Sequence, residues 1–170
     1  CMDRQVEHTQ TISVTDNTPP NFTYGTEPVS ITCPIQPEFV IPFATDVCSS
    51  PVTYIFEEES ILDGLCDGEY TLYRLVTATD ACGNSSTVEQ VIEVEDNMPP
   101  IWSELLPEQV ISSSINTEDF GMPVAEDLCS NVLINLITDL EPGVCPLAVQ
   151  LTRTFIAIDA CGNASPPFVQ

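Results

Sequence analysis

Apolar and polar residues alternate over short stretches of the chain, and no stripe with a 3.6-residue period persists. From His8 to Val14, one face carries Gln10, Ile12 and Val14. Val88, Gln90, Ile92 and Val94 form the same kind of face further on, with Glu89, Glu93 and Glu95 mostly on the other side. This alternation predicts strands of an antiparallel sheet with one wet side. Val29, Ile31 and Cys33 predict another strand, and Val52, Tyr54 and Phe56 a third. The longest strand is expected over residues 70–79, with its counterpart over 148–158. Leu72, Arg74, Val76, Ala78 and Asp80 match Leu151, Arg153, Phe155, Ala157 and Asp159. The intervening Tyr73, Leu75 and Thr77 become Thr152, Thr154 and Ile156, so the matching face is the one predicted to point inward.

The recurrence extends along the chain. Asp80-Ala81-Cys82-Gly83-Asn84 returns as Asp159-Ala160-Cys161-Gly162-Asn163, and Asp16-Asn17-Thr18-Pro19-Pro20 as Asp96-Asn97-Met98-Pro99-Pro100. Asp46-Val47-Cys48-Ser49 returns as Asp127-Leu128-Cys129-Ser130, and Cys66 as Cys145. Cys1 stands where Cys82 stands in the following copy. A period near 80 suits one small domain, so the chain reads as part of a tandem array. Several short strands per period, punctuated by turns, predict an all-β fold: tandem immunoglobulin-like β-sandwich modules stapled by disulfides. Ala-Cys-Gly-Asn reads as a hairpin turn in which Gly and Asn take positive φ. Asp-Asn-x-Pro-Pro reads as a stiff linker, because consecutive prolines cannot continue a ladder. The expected organisation is residues 1–20 as the last strand and linker of a preceding repeat, 21–100 as one repeat, and 101–170 as a second whose last strand is incomplete. Residues 7–15 are then a spare strand, which either belongs to a preceding repeat of the same chain or completes the sandwich of a neighbouring copy.

Charge sharpens this picture. There are 26 acidic residues against three arginines and no lysine, for a net charge of −23. Nucleic acid and anionic membranes are poor partners for such a surface. Self-repulsion on this scale opposes compaction unless cations screen or bind the carboxylates, which makes Ca2+ the expected cofactor. The 43% of hydrophobic residues still suffices to bury a core. Eight cysteines at recurring positions imply an oxidising compartment. Zinc is disfavoured because Cys-x-x-Cys is absent and His8 is the only histidine. No apolar run reaches the length of a membrane span, so direct membrane insertion is not expected.

Cys48, Cys66, Arg74, Ala78, Asp80, Cys82, Gly83, Asn84, Ile92, Val94, Asp96 and Pro100 together carry a longer motif. It joins an Asp-x-Cys loop and a cysteine before the long strand to Arg-x-x-x-Ala-x-Asp-x-Cys-Gly-Asn and a following strand that ends at Val-x-Asp-x-x-x-Pro. This motif resembles the HYR-like (hyalin-repeat-like) family in its cysteine-rich variety, over essentially the whole chain. The resemblance implies immunoglobulin-like domains of long secreted or cell-surface proteins, found in adhesion, matrix, surface filaments and gliding-type adhesins, and it implies no catalysis. The chain departs from the pattern at Ser113, where the first repeat has Cys33, so one disulfide of the second repeat is expected to be missing or rearranged.

In an immunoglobulin-like sandwich the loops of Cys48 and Cys82 lie at one end. The favoured pairing on that ground is Cys48–Cys82 and Cys129–Cys161, with Cys33–Cys66 completing the first repeat, although four cysteines allow three connectivities. Cys1 and Cys145 are left free or bridge chains. Asp80 and Asp159 either accept hydrogen bonds from turn N–H groups or ligate calcium. Asp46 and Asp80 with the linker's Asp96 could converge at a junction, and Asp16, Asp127 and Asp159 are the corresponding metal candidates. Arg74 and Arg153 on the inward face are expected to pair with carboxylates. Asn21, Asn84 and Asn163 begin Asn-x-Ser/Thr glycosylation sequences. Without a recurring histidine or any lysine, nucleophile–base pairs are scarce, and no enzyme is expected. The expected function is a secreted or cell-surface structural and adhesive array. Its partners are neighbouring repeats of the same chain, other copies in a filament, glycans or surfaces. The alternative is a carbohydrate- or protein-binding accessory module of a secreted enzyme, for which Trp102 is the one candidate aromatic platform.

Overall fold

The computed structural model describes residues 7–48, 50–57, 59–107, 120–144 and 148–170. Cys1, Ser113 and Cys145 lie outside the described residues. The fold is all-β. The first repeat contributes β1 (Asn21–Tyr24), β2 (Val29–Thr32), β3 (Phe43–Thr45), β4 (Thr53–Phe56), β5 (Ser60–Asp63), β6 (Tyr70–Thr79) and β7 (Ser85–Glu95). The second contributes β8 (Ile101–Glu104), β9 (Val124–Glu126), β10 (Val132–Pro142), β11 (Val149–Asp159) and β12 (Phe168–Val169).

In the first repeat β1 and β3 form a two-stranded sheet, while a larger sheet runs β2-β7-β6-β4 with β5 also on β6. The Tyr54 hydroxyl joins the two, accepting the Ala44 amide at 2.8 Å. In the second repeat β8 pairs β9 and the larger sheet runs β10-β11-β12. The small sheets share a fine detail. Each has a register irregularity at the same place, between Phe22 and Tyr24 in one and between Trp102 and Glu104 in the other. The larger sheets differ on one edge. A single β10 covers all of β11, whereas β4 and β5 divide the same edge around Glu57, whose amide bonds Leu75 O at 3.0 Å.

The inward face is the one the repetition selects. Val76 and Ala78 are fully buried, Leu72 and Asp80 nearly so, and Phe155 and Ala157 are fully buried in the second repeat. Gln90, Ile92 and Val94 are buried on β7, with Glu89, Glu93 and Glu95 exposed. Leu72, Ile92 and Val94 form a core cluster with Ile31, Cys33, Phe39 and Tyr70 packed against it.

Three expectations change. First, β2 runs parallel to β7, not antiparallel, with Ile31 opposite Val94. Second, the Ala-Cys-Gly-Asn turns use positive φ only at Gly83 (91°) and Gly162 (90°); no described non-glycine residue has it. Asn84 and Asn163 serve through their side chains. Third, residues 7–20 form no strand, and Ile12 and Val14 are 77% and 91% exposed. Alternation alone does not make a strand, because nothing described lies beside these residues to complete a ladder.

Candidate functional site: a two-disulfide joint between the repeats

Two disulfides tie the first repeat to the second: Cys33–Cys129 and Cys66–Cys161. This corrects the expected pairing in all three bonds. Cys33 does not pair with Cys66, nor Cys129 with Cys161, and Cys48 and Cys82 are exposed and free. The loops of Cys48 and Cys82 were expected to staple one sandwich to itself. Their counterparts instead meet the opposite end of the neighbouring repeat.

Local structure explains how the four sulfurs meet. Cys33 follows β2, and its amide donates to Glu95 O at 2.9 Å, so it sits where β7 gives way to the linker. Cys66 lies in the turn between β5 and β6, with the Glu69 amide on its carbonyl at 3.2 Å. Cys129 lies in the loop after β9, where Asp127 Oδ1 accepts the amides of Cys129 (2.7 Å) and Ser130 (3.0 Å). Cys161 occupies the turn after β11, closed by the Asp159 amide on Asn163 O at 3.1 Å.

Polar contacts knit the same seam. Asn131 Nδ2 donates to Asp67 Oδ2 at 2.9 Å, and Ser130 Oγ to Asp96 Oδ2 at 3.0 Å. Asn163 Nδ2 donates both to Asp96 O (3.0 Å) and to Asp159 Oδ2 (2.8 Å). Gly68, at φ 101°, approaches so closely that a Cβ there would lie 2.9 Å from Cys129 O. Only glycine fits both that backbone conformation and that clearance. Asp67, Gly68, Ser130 and Asn131 were not singled out from the sequence, since their types are ordinary for turns.

The carboxylates converge at both linkers. Oxygens of Asp16, Asp46 and Asp80 all lie within 4.8 Å of one another. Asp96 and Asp127 approach equally closely, in company with the disulfide-bonded Cys129. The structure thus groups Asp46 and Asp80 with Asp16 of the entering linker, and Asp96 with Asp127, so the expected grouping of Asp46 and Asp80 with Asp96 is corrected. Asp159 is buried in its own turn, with Oδ1 accepting the Asn163 amide at 2.8 Å. Asp80 does the same for Cys82 and Asn84, at 2.8 Å each. Turn acceptance and membership of a carboxylate cluster therefore coexist at Asp80.

Arg74 meets a carboxylate as expected, although amide and ring contacts hold it more closely, whereas Arg153 is held differently from expectation. Arg74 Nη2 and Nε donate to Gln90 Oε1 at 2.7 and 3.1 Å, and its guanidinium lies over Phe39 and Phe56. Its ion pair with the exposed Glu59 is long, at 3.9 Å. Arg153 is buried, and among the described residues no carboxylate pairs with it. It donates to Gln170 Oε1 (2.9 Å) and Gly121 O (2.7 Å) over the Phe155 ring. Burial pushes the pKa of this guanidinium below its ordinary value. Amide oxygens and aromatic faces replace the carboxylate, and they spare the site a second buried charge. The signal for this arrangement was the recurrence of Gln10, Gln90 and Gln170 at 80-residue intervals.

Both amide hydrogens of Asn84 are engaged, on Asp16 O (3.2 Å) and Asp80 Oδ2 (2.9 Å), as are those of Asn163. A glycan at either would displace one bond, whereas Asn21 is exposed at the start of β1. Trp102 donates Nε1–H to Pro166 O at 2.9 Å and packs at a tilt on Phe168. Two disulfides in a small β protein fit an oxidising, extracellular-type compartment. No helix among the described residues is long and apolar enough to cross a membrane. No family model matches the chain, and no curated protein matches it.

Proposed function

We propose that the chain is part of an extracellular structural and adhesive array, built from tandem HYR-like, immunoglobulin-like β-sandwich repeats and stabilised by calcium at the junctions. The observation that carries this reading is the pair of disulfides crossing from one repeat to the next. Bonds placed between repeats fix their relative orientation, which is what a stalk or filament needs and an isolated binding domain does not. The engagement of Trp102 with Phe168 and Pro166 counts against an aromatic sugar platform.

Calcium supplies the counter-charge. Two unit negative charges 4.8 Å apart repel by about 3.5 kcal/mol at an effective dielectric of 20, and the carboxylate oxygens of Asp16, Asp46 and Asp80 lie within that distance of one another. A hard cation with six to eight oxygen ligands relieves this, and Asp16, Asp46 and Asp80 supply the oxygens with water completing the shell. Because Asp16 belongs to the linker and Asp46 and Asp80 to the repeat, binding there stiffens the junction.

Surface labelling of intact source cells tests the placement. After mild reduction, a membrane-impermeant maleimide labels Cys33, Cys66, Cys129 and Cys161 on intact cells. Labelling that appears only after lysis refutes the extracellular reading.

A further inference from the structure

We infer that Cys48 and Cys82 are the receiving half of a second two-disulfide joint, which takes a further repeat unit bearing cysteines at the Cys33 and Cys66 positions. This inference rests on the tandem-repeat reading and adds a covalent site to it. Both cysteines are exposed and free, while their counterparts Cys129 and Cys161 are both bonded across the joint described above. The receiving loops are built alike. The Cys48 amide donates to Asp46 Oδ1 at 2.8 Å, as Cys129 does to Asp127 at 2.7 Å. The turn of Cys82 closes through the Asp80 amide on Asn84 O at 3.0 Å, as that of Cys161 does through Asp159 on Asn163 O at 3.1 Å. The incoming linkers are also held alike, by Asn84 on Asp16 O and Asn163 on Asp96 O.

The difference lies in what stands across the joint. At the second joint β7 leads into the linker with β2 on its flank, and Cys33 bonds Glu95 O just before Asp96. At the first, residues 8–15 carry the β7 pattern, with Gln10, Ile12 and Val14 in the places of Gln90, Ile92 and Val94, yet Ile12 and Val14 are exposed. A β2-like strand laid parallel to them in the register of Ile31 opposite Val94 ends beside Thr15. Its terminal cysteine then falls over Cys48, and the β5–β6 turn of the same unit brings its cysteine to Cys82. The occupant is therefore a repeat unit like residues 21–81, without its own β7, that takes residues 8–14 as its closing strand. Each bond forms from two thiols, which give up two protons and two electrons. A disulfide oxidant accepts them by thiol–disulfide exchange and is reduced to two thiols.

Non-reducing peptide mapping of an extended chain, with an added copy of residues 21–81 placed ahead of Cys1, tests the inference. The expected result links Cys48 to the added copy's Cys33 and Cys82 to the added copy's Cys66. Alkylatable thiol at these positions falls from two per chain to none. A Cys48–Cys82 bond, capping by a small thiol, or free thiols at both positions while Cys33–Cys129 and Cys66–Cys161 remain intact overturns it. Where the extension disturbs those two bonds, oxidation of the parent chain in a glutathione redox buffer decides. Separate alkylation of Cys48 and Cys82 supports the inference, and a bond between them overturns it. Calcium-dependent melting of the parent chain reports separately on the array reading.

Discussion

Replacing Cys33 and Cys129 together by serine removes one crossing of the joint and leaves the other. The loop this bond closes spans 96 residues. In the chain-entropy model such a loop restricts the unfolded state by about 4.7 kcal/mol at 25 °C. The Cys66–Cys161 loop spans 95 residues, so alone it restricts the unfolded state equally, and with the other bond retained each double variant is expected to lose the same, smaller amount. The losses are not additive. With Cys33–Cys129 closed, the shortest covalent route from Cys66 to Cys161 runs through that bond, and the second closure contributes about 4.3 kcal/mol. Against a total of about 5–15 kcal/mol for a domain, either loss is large. Two to four degrees per kcal/mol puts the expected drop at about 10 °C or more for each double variant. The assay is thermal unfolding followed by circular dichroism, in a Cys48→Ser, Cys82→Ser background that prevents reshuffling. Near-equality of the two variants is the sharper part, since it follows only if loop closure dominates. A drop under about 2 °C for either, or a difference between them above about 1 kcal/mol, refutes the reasoning.

Saturating calcium, at about 100 times its dissociation constant, is expected to add about 2.7 kcal/mol of stability, read as a rise in melting temperature over a chelator control at matched ionic strength. Asp46→Asn keeps an oxygen for the Cys48 amide but removes a charge, so it raises the calcium-free melting temperature and shrinks the calcium response; an unchanged response counts against the carboxylate site. Gly68→Ala forces a Cβ against Cys129 O at positive φ and is expected to cost about 1–3 kcal/mol in the same melting assay, with no loss if the seam is loose. Gln90→Leu removes the acceptor of two Arg74 hydrogen bonds at similar volume, for an expected loss of about 1–3 kcal/mol in denaturant unfolding.

The inward faces of β6 and β11 were legible because two copies of one strand vary freely where water lies and hold constant where packing or hydrogen bonding restrains them. Leu72 and Ala78 recur as Leu151 and Ala157, while Val76 changes to Phe155 but stays apolar and fully buried. The turn aspartates were legible for the same reason. The disulfide partners were not, because repetition reports which positions are equivalent, not which ends of successive copies face each other. One signal was present: an intra-repeat Cys33–Cys66 bond would leave Cys145 unmatched opposite Ser113. The strand expected at residues 8–14 failed because its apolar alternation describes a face without supplying the neighbour that face requires. The buried Arg–Gln pairs were missed because charge pairing was the default expectation for a buried guanidinium, and an amide meets the same hydrogen-bonding need without a second ionised group.

The crossing disulfides also set where tension runs when the two ends of the chain are pulled apart. The shortest covalent path enters at the amino end, leaves the backbone at Cys33, crosses to Cys129 and continues to the carboxyl end. Cys66–Cys161 provides a parallel route of nearly equal length, so the slack loop outside both routes is what lies between Cys66 and Cys129, including the β6–β7 hairpin. A separation of 96 residues corresponds to roughly 330 Å of contour that force cannot draw out while the bond holds. A linker severed between Asp96 and Pro100 would not part the repeats either, since both bonds bridge the cut. Such a chain behaves mechanically as a short-tethered cable whose extensibility is governed by redox state.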